Sequence, residues 1–134
     1  MLKQRIAFGE LSVSCEFAFE MSSSSIRFGK GVTREIGVVL AEMKMDMVMV
    51  LTDPNLSGLP PVGKVQESLT DNKVNFILFD RVRVEPTDES FKEAIKFAGN
   101  WGFDASVTVG GESTIDTAKV VSLYSTFSPS DFLD

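Results

Sequence analysis

Ala105-Ser106-Val107-Thr108-Val109-Gly110-Gly111-Glu112-Ser113-Thr114-Ile115-Asp116-Thr117-Ala118-Lys119 is the stretch from which the fold is read. A short β-branched run meets two glycines, and the glycines meet residues that open a helix. Strand, glycine turn and helix N-terminus in that order are how α/β folds bind phosphate. Glycine lets the backbone turn sharply and lets a ligand approach without a Cβ in the way. The first amides of the helix have no intrahelical partners, and the helix dipole adds partial positive charge there. The same residues also admit a plainer reading. Ser113 with Asp116 three positions on fits a capping box, and the two glycines then serve only the turn. The stretch is neither G-x-G-x-x-G nor a P-loop, so the residues alone leave both readings open.

Upstream of that stretch, strand and helix signals alternate. Glu16 to Phe28 reads as two strands around Ser22-Ser23-Ser24-Ser25, followed by a turn at Gly29-Lys30-Gly31. Thr33 is expected to cap a helix reaching about Met43, with Val32, Ile36, Val39, Leu40 and Met43 on one face. Asp46 to Leu51 is a near-continuous apolar run, the pattern of a parallel strand buried on both faces. Pro61 can open the next helix, to about Asn72. Val74 to Phe79 is the second buried strand, and Pro86 keeps Arg81–Pro86 extended. Thr87-Asp88-Glu89 begins a helix that ends at Gly99, with its acids early and Lys92 and Lys96 late, as the helix dipole prefers. Ala105–Val109 is the third strand, and the last helix runs from Thr114 to about Tyr124. The pattern predicts an α/β domain: a β-hairpin, then a parallel sheet with helices on both faces. Met43, Met45, Met47 and Met49 alternate and are assigned to core and sheet edge, and Trp101 to sealing a helix–strand junction.

The chain has 134 residues, enough to bury a core as one domain, and a net charge of −6 with scattered acids. Such a surface argues against nucleic acid as a partner, because phosphate backbones select basic patches. No apolar run is long enough to span a bilayer. The single cysteine, Cys15, cannot form an internal disulfide, which fits a reducing compartment. There is no histidine, which excludes every His-based triad. Met1-Leu2-Lys3-Gln4-Arg5-Ile6 has the basic residues of a transit peptide, whereas Glu10 and Glu16 count against one.

Gly110-Gly111-Glu112-Ser113-Thr114-Ile115-Asp116-Thr117-Ala118-Lys119 resembles the G-G-G-S-x-x-D-x-x-K signature of the iron-containing alcohol dehydrogenase family. Phe19-Glu20-Met21, Ile26-Arg27-Phe28-Gly29, Thr52-Asp53 with Leu56, Leu59-Pro60-Pro61-Val62, Arg81 to Asp88 and Ser130 to Asp134 extend the match. It covers residues 17–134 and leaves 1–16 unmatched. The branch it points to is the mitochondrial hydroxyacid-oxoacid transhydrogenases. The resemblance implies a Rossmann-like nucleotide-binding domain at residues 17–134, NAD as cofactor, a mitochondrial setting, and a hydroxy acid or alcohol as substrate of the complete enzyme. In the transhydrogenase branch, 4-hydroxybutyrate is oxidised while 2-oxoglutarate is reduced. It also implies iron or another divalent metal, held by one Asp and three His in a C-terminal helical domain that this sequence does not include. No metal ligand is therefore assigned to this chain. A homo-oligomer stays open, and no membrane or nucleic-acid partner is expected.

The cofactor-binding residues implied are Asp53, Gly110, Gly111, Glu112, Ser113, Thr114 and Asp116. Asp53 follows a buried strand at the edge where open α/β sheets bind ligands, and the matching Asp selects NAD by holding the adenosine ribose. Physics alone makes Asp53 an Asx turn. Glu112 stands where the family usually has glycine and is expected to turn into water. Glu85 and Pro86 are expected to line the adenine side, and Lys119 to form a structural ion pair. Two functions follow. One is the NAD-binding part of a dehydrogenase, and the other is an inactive fragment that acts at most as a nucleotide-binding or interaction module. An unrelated flavodoxin-like domain is the third reading, and the length of the match disfavours it.

Overall fold

A computed structural model describes residues 25–126. A 3₁₀ turn at Val32–Glu35 leads into α1 (Ile36–Glu42). Then come β1 (Met47–Thr52), α2 (Pro60–Asp71), β2 (Asn75–Phe79), α3 (Asp88–Gly99), β3 (Ala105–Val109) and α4 (Glu112–Thr126). The strands form a parallel sheet in the order β2-β1-β3. The expected hairpin lies mostly outside the described residues, and residues 25–28 carry no strand.

β1 is buried because its side chains alternate between two cores. Val48 and Val50 join Leu40 of α1 and Val65 and Leu69 of α2. Met49 and Leu51 join Phe79 and Val82, Ala94 and Ala98 of α3, and Ala118 and Val121 of α4. Helices thus cover both faces, α1 and α2 on one and α3 and α4 on the other.

Several element starts differ from expectation. Gly31, at φ 83°, caps the first turn, so Thr33 lies inside it and is not the cap. α2 starts at Pro60 with Leu59 as its cap. Trp101 is 49% exposed and Met43 56%, so both lie outside the core. The start of α3 meets expectation: Thr87 Oγ1 accepts from Ser90 N, while Ser90 Oγ accepts from Thr87 N. Glu89, in that first turn, has its carboxyl held below the usual glutamate range by its own backbone amide and the Thr87 hydroxyl.

α1 and α2 end alike. Met45 N reaches back to Leu40 O, and Val74 N to Leu69 O, while Lys44 N and Lys73 N bond Ala41 O and Thr70 O. These are Schellman endings, with a lysine at φ 58° in place of the usual glycine. Each returns an apolar residue, Met45 or Val74, to the core that its helix covers.

The α1–α2 crossing is close because of Gly37. Gly37 N donates to Ser68 Oγ at 2.9 Å, and that hydroxyl donates to Arg34 O at 2.6 Å. A Cβ on Gly37 would lie 2.0 Å from the Ser68 carbonyl oxygen, backbone that cannot step aside. Gly37→Ala is expected to destabilise the chain by about 3 kcal/mol, at the upper end of overpacking costs. Gly63→Ala, in a helix interior with nothing near the added carbon, is expected to stabilise it by about 0.5–1 kcal/mol. Urea midpoints of the two variants, compared at constant slope, check both signs.

Candidate functional site

β1 occupies the centre of the sheet, β2 lies on one side of it, and the chain then crosses to the other side to form β3. The strand order therefore reverses between β1 and β3, and open α/β sheets bind ligands beyond the carboxyl ends of the strands at such a point. Thr52 pairs with Val109 in the ladder, and the Thr52 hydroxyl donates to Val109 O at 2.8 Å. Asp53 and Gly110 are the next residue on each strand, so two candidates far apart in sequence leave the sheet side by side. Thr52 O also accepts from Val82 N at 3.2 Å, which lays the segment after β2 against the same edge.

Asp53 is 9% exposed. Its Oδ1 accepts from Asn55 N at 2.8 Å and Leu56 N at 3.1 Å, an Asx turn. Oδ2 takes no part in these bonds. The turn sets Leu56 against the glycine turn: a Cβ on Gly110 would be 3.6 Å from Leu56 Cδ1.

The two glycines differ. Gly110 has φ 156°, and an added Cβ would lie 2.4 Å from Thr114 Oγ1 and 3.1 Å from Thr114 Cβ. Gly110 is glycine because α4 comes back against it. A Cβ on Gly111 would meet nothing within 4 Å, so room is open beside the exposed turn. The capping-box reading of Ser113 with Asp116 is not what forms: α4 begins at Glu112, and Gly111 O accepts from Thr114 N and Ile115 N. Glu112 is exposed, and Ser113 and Asp116 are half-buried. Thr114 is 1% exposed, so its side chain supports the turn from beneath. Lys119 is exposed, and the ion pairs among the described residues, Arg27–Glu35 and Arg81–Glu93, do not include it.

Beyond β2, the Arg81 guanidinium stacks 5.1 Å from the Phe79 ring centroid and 5.7 Å from that of Phe97, and its Nε meets Glu93 Oε1 at 3.0 Å. Arg81 thus fastens the exit of β2 to α3. Glu85 is exposed, with φ 60°, and Pro86 is half-buried. Thr52 was not among the sequence candidates. Its signal was a polar β-branched residue closing an otherwise apolar buried strand.

The Gly111 space and the amides that open α4 fit a pyrophosphate. A transition metal finds no such fit: the chain has no histidine, and no three Asp, Glu or Cys side chains converge among the described residues.

The iron-containing alcohol dehydrogenase family model matches residues 23–133, and the chain belongs to that family. It is 56% identical to the mitochondrial hydroxyacid-oxoacid transhydrogenase of Bos taurus over 119 residues, 89% of this chain and 26% of that protein. It is 52% identical to the Homo sapiens protein of the same name, with the same coverage. The chain thus spans about a quarter of the length of these relatives. Among solved structures, an NADH-dependent butanol dehydrogenase from Thermotoga maritima shares the fold, with TM-score 0.74 and 24% identity over 84% of this chain and 28% of its own. An alcohol dehydrogenase from Oenococcus oeni superposes with TM-score 0.65 and 29% identity, over 69% of this chain and 25% of its own.

The unequal glycines give a structural prediction. Gly110→Ala forces Thr114 from its buried place and is expected to cost about 2 kcal/mol, a fall in Tm on the order of 10 °C. Gly111→Ala is expected to leave Tm within about 2 °C. Calorimetry of both variants checks the pair, and equal losses would contradict the packing described.

Proposed function

We propose that residues 17–134 form the nucleotide-binding part of a hydroxyacid-oxoacid transhydrogenase that uses NAD. The observation that carries this reading is the register Thr52↔Val109, which sets the Asp53 turn and the Gly110-Gly111 turn together at the strand-order reversal. The pyrophosphate is assigned to Gly111 and the opening amides of α4. Asp53 Oδ2 is assigned to the adenosine ribose, where its charge also disfavours a 2′-phosphate. Ser113 and Asp116 border that ground, and Thr114 acts through its backbone. Glu112, on the exposed side, is assigned no contact that the nucleotide needs. Glu85 and Pro86 are assigned to the adenine side.

NAD supplies hydride exchange between an alcohol or 2-hydroxy acid and the corresponding carbonyl compound. This chain's residues bind and orient it. The groups that would hold a metal and polarise the substrate are not among them, so the chain alone is expected to bind nucleotide without turnover. The transhydrogenases it resembles are named mitochondrial, and the same setting is proposed here. No helix among the described residues is long and apolar enough to cross a membrane.

The test is titration of the purified chain with NADH, followed by nucleotide fluorescence. Gly111→Val is expected to weaken binding at least tenfold while leaving Tm unchanged. Asp53→Asn keeps an oxygen for the Asn55 and Leu56 amides but removes the charge. It is expected to lower the preference for NADH over NADPH roughly fivefold, the worth of about 1 kcal/mol of screened repulsion. Unchanged NADH affinity in Gly111→Val would sink the pyrophosphate assignment, and unchanged discrimination in Asp53→Asn would sink the ribose assignment. Glu112→Gly is expected to bind at least as tightly as the parent.

A further inference from the structure

We infer that Arg83 sets how sharply this chain separates NADH from NADPH: its guanidinium is the counter-charge to Asp53 and receives a 2′-phosphate on the adenosine ribose. This assignment rests on the nucleotide reading proposed above and adds a specificity-determining residue to that site.

The backbone brings Arg83 to the ribose end of the site. Val82 N donates to Thr52 O at 3.2 Å, and that oxygen belongs to the peptide that joins Thr52 to Asp53. Arg83 is the next residue, its Cα about 3.8 Å from that of Val82. Val82 is buried in the core with Met49 and Leu51, whereas Arg83 is exposed. The chain does not run on into solvent from there. Glu85, at φ 60°, and the Thr87–Ser90 cap turn it into α3. Arg83 is thereby kept on the loop that borders the carboxyl end of β1.

The guanidinium is also available. Between Asp80 and Phe91 the chain has two basic residues, Arg81 and Arg83. Arg81 is committed to the Phe79 and Phe97 rings and to Glu93. Arg83 belongs to neither ion pair among the described residues. Its charge does reach the first turn of α3. There the Glu89 carboxyl is held below its usual range by its own backbone amide first, then by the Thr87 hydroxyl, and after these by Lys92 and Arg83. Glu89 is thus served mainly by the helix start, which leaves the guanidinium open to a stronger anion.

NADPH differs from NADH by one phosphate, on the 2′-oxygen of the adenosine ribose. A carboxylate at the strand end bonds the free 2′-hydroxyl, whereas an arginine nearby accommodates the 2′-phosphate. A guanidinium is always charged and takes a phosphate through two parallel N–H···O bonds. Here both kinds of residue belong to one strand end. Asp80, Glu85 and Asp88 stand around Arg83 in sequence, so without it a 2′-phosphate would meet an acidic loop. The two charges act in opposite directions through the same screening solvent. Arg83 is therefore expected to return to NADPH much of the roughly fivefold that Asp53 takes away.

The test titrates the purified chain with NADH and with NADPH and reads the ratio of the two affinities. Arg83→Gln is expected to lower NADPH affinity at least about threefold more than NADH affinity. Arg83→Lys keeps the charge and is expected to recover most of that ratio. Asp53→Asn combined with Arg83→Gln removes both opposing charges and is expected to bring the ratio back to within about twofold of the parent. Adenosine 2′,5′-bisphosphate, competed against 5′-AMP, isolates the adenosine end and is expected to show the same selective loss in Arg83→Gln. An equal loss of both nucleotides would put the guanidinium on a group they share, and an unchanged ratio would leave it with Glu89. Either result would overturn the assignment. The nucleotide reading has its own readout. If Gly111→Val weakens NADH binding while Arg83→Gln leaves the ratio unchanged, the Arg83 assignment alone fails. If Gly111→Val binds NADH as the parent does, that reading fails and the Arg83 assignment falls with it.

Discussion

Everything in this domain is placed relative to β1. A strand with both faces and both edges used has no freedom to slip. A shift of one residue would exchange Val48 and Val50 with Met49 and Leu51 between two cores of different shape. The hydroxyl of Thr52 then adds a side-chain bond at the last register pair of the ladder, to Val109 O. That bond needs a hydroxyl donor at the strand end, and Thr52 supplies one on a fully buried side chain. It determines where Asp53 and Gly110 leave the sheet, and through them the relation of the two turns.

The strands were legible because burial on both faces leaves a compositional trace. Met47–Thr52 and Ala105–Val109 are short, apolar or β-branched, and bounded by Asp or Gly, and no helix of that length would be stable. α3 was legible through Thr87 and its charge order. The start of α1 was not, because Gly31 caps it through backbone geometry, whereas that of α2 was read from its prolines to within one residue, at Pro61 where the helix opens at Pro60. The ends of α1 and α2 carried no glycine signal, because lysines hold the left-handed position. At the site, residue types pointed to Asp53 and the two glycines. Nothing in the sequence could say that the glycines differ, since that depends on Thr114 coming back across one turn of α4 to lie under Gly110.

Asp53 joins two demands that are often separate. Its Oδ1 holds the backbone of the following turn, a task that Asn or Ser performs comparably. Its remaining oxygen and its charge are what a ribose diol would use. Folding thus orients the carboxylate before any ligand arrives, and a preoriented acceptor loses less side-chain entropy on binding. The near-complete burial of Asp53 would sharpen the second, because a charge held at a partly desolvated edge discriminates against an added phosphate more strongly than one in open water.

Glu112 sets two effects of similar size against each other. In the first turn of α4 its carboxylate interacts favourably with the helix dipole, a contribution of about 0.3–1 kcal/mol at an exposed site. The same charge would repel a pyrophosphate at the proposed place beside Gly111 by an amount on the order of 1 kcal/mol. Both act through water and both weaken with salt, so neither can dominate the other by much. The side chain is exposed and has open space to turn into, so the repulsion can be relieved by rotation, whereas the dipole term persists wherever the carboxylate stays near the helix start. A glutamate at this position therefore steadies the helix and would take little from the affinity of the proposed nucleotide site. A β-branched residue at Gly111, one position earlier, would fill the open space itself, and no rotation could clear it.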